Sequence, residues 1–234
     1  MSRIDQIIRK ILEQRATIPA SRSLLVGLSG IDGCGKGYLA KQVEAHLALH
    51  AMTSAIINVD GWLNLPAKRF DANAPAQHFY DNAIRFDEFF SKLVLPLRDR
   101  RSLHLVADFT EETASSYRPH TYDFKDVGVV VVEGIFLFKP AYRKHFDLGI
   151  WIDCSFPTAL ARAISRGQEG LSPANTIAAY ETIYFPAQRI HLAKDRPREH
   201  ADLVFNNDVQ EIRMPERGRY QSRFQSSAVA PRFE

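Results

Sequence analysis

Hydrophobic and polar positions follow two periods along this chain, one helical and one typical of buried strands. Apolar residues at helical spacing, from Ile4 to Leu12, predict an amphipathic helix that ends at Pro19. Short and nearly continuous apolar runs follow, as expected of strands that are covered on both faces. They predict strands at residues 23–28, 55–59, 127–132, 148–152 and 201–205.

Helical patterns lie between most of these strands. The clearest run over residues 157–166 and 175–194, and another follows the first strand directly. Strands that alternate with helices are typical of a parallel sheet in an α/β fold. We therefore predict one α/β domain over residues 1–210, with helices packed on the sheet.

Two stretches fall outside this alternation. The insertion at residues 60–125 is rich in aromatic residues and contains prolines, and we expect it to form a helix at about 86–98 and a small strand pair over the carboxyl edge of the sheet. Residues 211–234 show little apolar periodicity, so we predict a flexible tail. This tail carries Arg213, Arg217, Arg219, Arg223 and Arg232.

Composition narrows the function classes. Of the 234 residues, 45% are apolar and 24% are charged, which is typical of a globular protein. The formal net charge of +3 is too small to indicate a nucleic-acid or membrane surface, and only the arginine-rich tail favours nucleic acid. Two cysteines cannot form a disulfide framework, and the longest apolar run, 127–138, is too short to span a bilayer. We expect a cytoplasmic protein without a membrane partner.

A glycine-rich turn between the first strand and the following helix predicts phosphate binding. Gly30, Gly35 and Lys36 have the spacing of the P-loop pattern up to its last position. Glycines let successive N–H groups point inward beneath a phosphate, where the helix also begins with its positive end. Lys36 adds a charge that can reach the outer phosphates. The predicted nucleotide-binding residues are Gly30, Ile31, Asp32, Gly33, Cys34, Gly35, Lys36 and Gly37.

The last position of the loop departs from the P-loop pattern. Gly37 stands where Ser or Thr supplies a hydroxyl to magnesium, so water or carboxylates must replace that ligand. Asp60 and Glu133 follow predicted strands and are expected to face the same crevice, so both are candidate Mg²⁺ ligands. Cys34, at the start of a helix, is a candidate for a reactive thiol whose oxidation would block nucleotide binding.

With Asp60 and Glu133 in view, residues 24–208 resemble the uridine kinase, phosphoribulokinase and pantothenate kinase family of P-loop kinases. The resemblance implies a P-loop NTPase-like parallel sheet with an inserted substrate-binding region and a helical lid. It implies that Asp60, in the segment Asn58-Val59-Asp60-Gly61-Trp62, contacts the acceptor and takes the proton from its hydroxyl. Glu133, in Val132-Glu133-Gly134, would help to hold magnesium.

Two further matches lie on the substrate side. Tyr80 and Asp81 resemble the uridine kinase segment in which an aromatic residue and an aspartate contact the nucleoside, so Asp81 would accept from sugar hydroxyls. Tyr122 and Phe124 resemble the aromatic pair that flanks the base. Residues 125–127 lack the histidine that reads the base in uridine kinases, so pyrimidine specificity does not follow.

The predicted lid covers residues 155–195. The resemblance implies that arginines at the end of its first helix close over the phosphates, and Arg162 and Arg166 are the candidates. The usual Arg-Asp pair before the final Arg-Gly is missing, which leaves Ala161 and Arg162 in its place.

Together these features predict a kinase that uses ATP and Mg²⁺ to phosphorylate a primary hydroxyl of a small metabolite, with a nucleoside as the first candidate. Pantothenate, a sugar phosphate or glycerate are alternative acceptors. Because Gly37 replaces the hydroxyl residue, a nucleotide-binding pseudokinase is a further alternative. Relatives of this kind are often oligomeric, so a homo-oligomer with contacts through the first helix is also open.

Overall fold

The structure is a computed structural model, and it describes residues 3–167 and 170–208. It contains a parallel sheet of five strands and a separate antiparallel pair. The strands are β1 (Leu24–Gly30), β2 (Ser54–Asn58), β3 (Leu103–Phe109), β4 (Arg118–Phe124), β5 (Val129–Gly134), β6 (Leu148–Asp153) and β7 (Leu203–Asn206). The predicted tail at 211–234 lies outside the described residues.

The parallel sheet has the strand order β2-β5-β1-β6-β7, which confirms the predicted α/β class. β1 lies at the centre, where Leu28 pairs with Glu133 of β5 and with Ile150 of β6. The chain crosses from one side of β1 to the other between β5 and β6, so the crevice at the carboxyl end of β1 is a topological switch point. Ligands of α/β proteins bind at such a crevice.

The two central strands are fully buried because their sequences leave no polar face. Every residue of β1 is buried, and Val129 to Val132 of β5 are each 0% exposed. Burying one such side chain contributes about 1.5–3 kcal/mol, so the run favours an interior position for β5, between β2 and β1. The same burial brings Glu133, the next residue, into an apolar layer.

Helices cover both the sheet and the inserted region. Residues 59–62 form a turn of 3₁₀ helix directly after β2. The helices are α1 (Arg3–Thr17), α2 (Lys36–Leu49), α3 (Pro66–Arg69), α4 (Pro75–Asn82), α5 (Phe86–Phe89), α6 (Leu95–Arg100), α7 (Pro140–Arg143), α8 (Phe156–Arg166), α9 (Pro173–Ala179) and α10 (Phe185–Asp195). Ile7 and Ile11 of α1 are 0% exposed, so this helix is docked as its periodicity predicts.

Two predicted helices contain a π turn. Residues 90–94 join α5 to α6, and residues 180–184 join α9 to α10. Pro96 and Pro186 follow these turns at the second position of the next helix. A proline inside a helix lacks an N–H and crowds the carbonyl four residues earlier, and a wider turn relieves this crowding.

The insertion confirms the predicted strand pair. β3 and β4 are antiparallel, with Leu103 opposite Phe124 and Phe109 opposite Arg118. The end of β3 is held to the turn after β2 by a hydrogen bond from Thr110 N to Gly61 O of 3.1 Å. The hairpin therefore lies next to Asp60. Within residues 3–167 and 170–208, every helix is too short or too polar to span a bilayer.

Candidate functional site

The glycine loop connects the end of β1 to the start of α2, as the motif predicts. Gly35 occupies the N-cap of α2 with a φ of 95°, and Gly33 has a φ of 74°. Both values lie in the left-handed region that glycine adopts without steric cost. A Cβ on Gly33 would also lie 2.4 Å from the carbonyl oxygen of Ala159. The loop conformation therefore depends on glycine at this position.

Lys36 points into the loop that it follows. Its Nζ donates to the carbonyl oxygens of Ile31 at 2.9 Å and Gly30 at 3.4 Å, and the residue is only 9% exposed. Burial alone would lower the pKa of this amine, but nearby anionic groups such as the carboxylates of Asp32 and Glu133 raise the pKa above its usual value. Lys36 is therefore a buried, charged ammonium group at the centre of the loop.

Cys34 differs from the sequence-based expectation. Its side chain is fully buried, and this burial raises the pKa of the thiol above its ordinary value. A buried thiol with a raised pKa is a poor nucleophile. The expectation of a reactive Cys34 is therefore wrong, because burial outweighs the helix N-terminus.

Asp60 and Glu133 come together because two strand ends approach closely. Asn58 accepts a hydrogen bond of 2.7 Å from Asp60 N, which fixes the 3₁₀ turn. A Cβ on Gly134 would lie 2.1 Å from Val59 Cγ2, so only glycine after Glu133 allows this turn to pack against β5. The close approach of Val59 therefore explains why the residue after Glu133 is a glycine.

Both carboxyl groups have raised pKa values. Burial raises the pKa of Glu133 to about 7, although Lys36 acts in the opposite direction. Burial and the charge of Asp32 raise the pKa of Asp60 above its ordinary value of 3.8. Perturbed carboxyl groups in a cleft are typical of functional sites.

The residues present suit a magnesium ion that is also held by phosphates. Among the residues that the structure describes, no group of three or more His, Cys, Asp or Glu side chains could hold a metal alone. Mg²⁺ in nucleotide sites normally takes one or two protein carboxylates plus phosphate and water oxygens. Glu133 and Asp60 offer that donor set, and a Cβ on Gly37 would lie 3.5 Å from Glu133 Oε1. The position that lacks a hydroxyl therefore adjoins the candidate metal ligand.

The two candidate lid arginines lie on α8 and contact the glycine loop. Arg162 Nη1 donates to Cys34 O at 3.2 Å, and its Nη2 donates to Asn207 O at 2.8 Å. Arg166 Nη2 lies 3.8 Å from Asp32 Oδ1. Asn207 itself donates from Nδ2 to Cys34 O at 2.7 Å. The end of β7 and the end of α8 therefore brace the loop from the same side.

One cavity of about 570 Å³ collects most of the predicted site residues. Lys36, Asp60, Glu133, Arg162 and Arg166 all line it. Sequence reasoning missed other lining side chains, for which no motif gave a signal. They are Tyr38, Lys41, Asn58, Arg69, Phe79, Glu112 and Tyr184.

A smaller cavity of about 290 Å³ adjoins Asp60 on the hairpin side, and Tyr122 lines it. The hydroxyl of Tyr122 accepts a hydrogen bond of 3.0 Å from Trp62 Nε1. Phe124 packs against Tyr122 along the strand, with ring centroids 6.3 Å apart. Tyr122 and Asp60 therefore line the same small cavity, and Phe124 is linked to that cavity through the ring of Tyr122.

Tyr80 and Asp81 line a different cavity of about 690 Å³, together with Lys139 and Tyr142. Tyr80 is 3% exposed and donates its hydroxyl proton to Asp195 Oδ2 at 2.7 Å. The structure therefore does not bring these two residues into the cavity of Asp60. Their role as acceptor contacts stays a prediction.

Comparisons with known proteins agree with this geometry. The sequence is 25% identical to a uridine kinase from Staphylococcus aureus over 184 residues, which is 77% of this chain and 86% of the relative. No protein-family model matches the sequence. The structure of a possible uridine kinase from Bacillus stearothermophilus superposes with a TM-score of 0.69 at 22% identity, over 87% of this chain and 97% of that chain. In sequence and in fold, the chain is similar to uridine kinase-like P-loop kinases.

A more distant protein shares the same fold. A D-glycerate 3-kinase from Cryptococcus neoformans superposes with a TM-score of 0.57 at 8% identity, over 81% of this chain and 88% of that chain. At such low identity the likeness concerns the fold alone. The comparisons together support a small-molecule kinase, and they do not fix its acceptor.

Proposed function

We propose that this chain transfers the γ-phosphoryl group of ATP to a primary hydroxyl of a small metabolite. The observation that carries the proposal is that a P-loop lysine, two carboxyl groups with raised pKa and two arginines line one cavity. Phosphoryl transfer needs alignment and charge neutralisation more than covalent help from the protein. This set of residues offers both.

On the nucleotide side, the loop at 30–37 and the start of α2 bind the phosphates, and Lys36 contacts the outer ones. Arg162 and Arg166 extend from α8 toward the same loop and balance the charge that develops during transfer. Mg²⁺, held in part by Glu133, would supply further charge neutralisation when bound with the nucleotide. The side chains of Lys36, Arg162 and Arg166 supply positive charge for these roles, and Glu133 supplies an oxygen ligand for the metal.

On the acceptor side, Asp60 is the proposed general base. The acceptor oxygen bonds to the γ-phosphorus, the bond from that phosphorus to the β-phosphate oxygen breaks, and the hydroxyl proton moves to the Asp60 carboxylate. Burial raises the pKa of this carboxyl, which makes it a stronger base than an exposed aspartate. Lys36 acts in the opposite direction on this pKa and favours the carboxylate.

The test is to replace Asp60 with asparagine. Asp60→Asn is expected to bind ATP as the unchanged chain does and to lose transfer by about 10²–10⁴-fold, since a positioned base contributes that much. Asp108→Asn is the matched control, because Asp108 is an exposed aspartate on β3. If Asp60→Asn turns over as fast as the Asp108 variant, Asp60 is not the base.

The likeness to a uridine kinase supports a nucleoside as the first acceptor to assay, and pantothenate, a sugar phosphate and glycerate follow. Transfer is measured as the loss of ATP that depends on each acceptor. A second candidate function is nucleotide binding without transfer, and Gly37 in place of the hydroxyl residue favours it. ATP binding with no phosphorylation of any acceptor would support that second function.

A further inference from the structure

Arg69 is a buried cation in the cavity that holds Asp60. It ends α3 and is only 1% exposed, yet it lines the 570 Å³ cavity. Its Nη2 donates to the backbone carbonyl of Glu112, and its guanidinium lies over the ring of Phe70 at 5.1 Å. These contacts hold the guanidinium in place from two sides.

The Nε atom of Arg69 is buried without a hydrogen-bond partner among the residues that the structure describes. Burial lowers the pKa of Arg69, but a guanidinium stays charged in proteins. A buried charged donor without a partner is costly, so in native proteins such a group is normally satisfied by a ligand, an ion or ordered water. The unsatisfied atom therefore points to an anion that binds in this cavity.

The neighbours of Arg69 place it on the acceptor side. After burial, the largest effects on its pKa come from Glu112, Tyr184, Asp60 and Tyr117, which lie outside the glycine loop. Arg162 and Arg166, by contrast, contact Cys34 and Asp32 of that loop. The nucleotide phosphates already have cations of their own at the loop, whereas Arg69 lines the same cavity as Asp60 and donates to Glu112, which lies outside the loop.

We propose that Arg69 binds a carboxylate or phosphate group of the acceptor, so that the acceptor is an alcohol that also carries a negative charge. This inference rests on the proposed function and narrows it, because a nucleoside has no such group. A guanidinium binds both anions through two parallel hydrogen bonds, and a backbone contact and a ring hold this one in place. Arg69 thereby positions the acceptor hydroxyl for Asp60.

Because of Glu112, the proposal predicts one substitution that weakens anion binding and another that strengthens it. Glu112 also lines the cavity, and its negative charge opposes the lowering of the Arg69 pKa by burial, so it competes with an incoming anion for the same guanidinium. Removing the charge of Arg69 should weaken anion binding, and removing the charge of Glu112 should strengthen it. A purely structural arginine would produce the first change at most.

The first experiment titrates the full chain, loaded with Mg²⁺ and a non-hydrolysable ATP analogue, with inorganic phosphate and separately with acetate. Arg69→Gln is expected to weaken binding of the preferred anion by at least about tenfold, and Glu112→Gln to tighten it. Arg100→Gln, which removes an exposed arginine at the end of α6, is the control. The two arms show whether the site prefers phosphate or carboxylate.

Equal affinity of Arg69→Gln and Arg100→Gln for both anions would overturn the inference. So would weaker or unchanged binding by Glu112→Gln, even if the Arg69 variant fails to fold. Affinity for the ATP analogue, measured with each variant, verifies that the loop is intact.

The second experiment compares acceptors that differ only in charge, such as glycerate with glycerol and pantothenate with pantothenol. The charged member is expected to react with the higher kcat/KM, and Arg69→Gln is expected to raise its KM with little change in kcat. If a nucleoside or another neutral alcohol is the preferred acceptor and its turnover is the same in Arg69→Gln, the inference is overturned and the proposed function is retained. No transfer to any acceptor would instead overturn the proposed function. The titration would still test, independently of transfer, whether Arg69 binds an anion.

Discussion

Gly37 is the position at which this loop departs from the P-loop pattern, and the structure leaves room for the missing side chain. A Cβ built on Gly37 lies 3.5 Å from Glu133 Oε1, an ordinary van der Waals distance. The residue sits in the first turn of α2, where a side chain fits the helical backbone. Gly37→Ser is therefore expected to fold without strain and to carry its hydroxyl beside Glu133.

Two separate effects of that substitution can be given magnitudes. Replacing glycine in a helix stabilises the folded chain by roughly 0.5–1 kcal/mol, and alanine does so at least as well as serine. The hydroxyl adds one oxygen ligand for Mg²⁺, and changes around a metal site shift its affinity by about 10–100-fold. We expect about tenfold tighter Mg²⁺-dependent ATP binding, or about 1.4 kcal/mol, for serine alone.

The assay measures the Kd of ATP by calorimetry with and without Mg²⁺ for the unchanged chain, Gly37→Ser and Gly37→Ala. The ratio of the two Kd values isolates the metal from the nucleotide. Alanine is the matched control because it gives the same helix stabilisation without a hydroxyl. Unfolding by urea, measured in parallel, gives the stability change of each variant.

Equal ratios for serine and alanine would mean that residue 37 does not reach the metal, and the role of Glu133 as a Mg²⁺ ligand would lose its support. A loss of stability in both variants would contradict the space beside Glu133. If Gly37→Ser makes ATP binding depend more strongly on Mg²⁺ but does not speed up transfer, a low transfer rate would have its cause on the acceptor side.

Two further outcomes follow from buried contacts. Gly33→Ala is expected to destabilise the chain by more than about 1 kcal/mol and to weaken ATP binding, because its Cβ would lie 2.4 Å from Ala159 O at a φ of +74°; a calorimetric titration with unchanged Kd would contradict this. His191, buried and bonded to Asp195 at 2.7 Å, has a pKa that burial lowers below 6.5. The unfolded state then binds more protons, so the free energy of unfolding should fall by up to about 1.4 kcal/mol per pH unit as the pH drops below 6.5. His191→Gln should show a flatter urea-unfolding profile against pH, and an identical slope would refute the argument.

The central sheet could be predicted from the sequence because strands that are buried on both faces consist almost entirely of apolar residues. The run at Val129 to Val132 reads as a covered strand, and the structure places it inside the sheet. The glycine loop, with a strand before it and a helix after it, was equally readable. The helix and strand pair of the insertion were also predicted, because each has its own local periodicity.

Properties that depend on distant packing could not be predicted in the same way. Arg69 lies in a polar stretch that gives no sign of burial, yet it is enclosed by residues far away in the sequence. Tyr80 matched a substrate segment, but its hydroxyl bonds to Asp195, a residue 115 positions later. Cys34 is fully buried, and this packing raises the pKa of its thiol, which a local rule about helix ends does not include. The roles of the site residues remain predictions.

The bracing of the glycine loop by β7 has a consequence for synthesis. The loop at residues 30–37 leaves the ribosome early, but Asn207, which donates a hydrogen bond to the carbonyl oxygen of Cys34, leaves 173 residues after that cysteine. Arg162 also reaches past the loop to the Asn207 carbonyl. A nascent chain stopped before residue 203 would therefore carry the complete motif without its support, and stable ATP capture should begin only after the edge strand has docked.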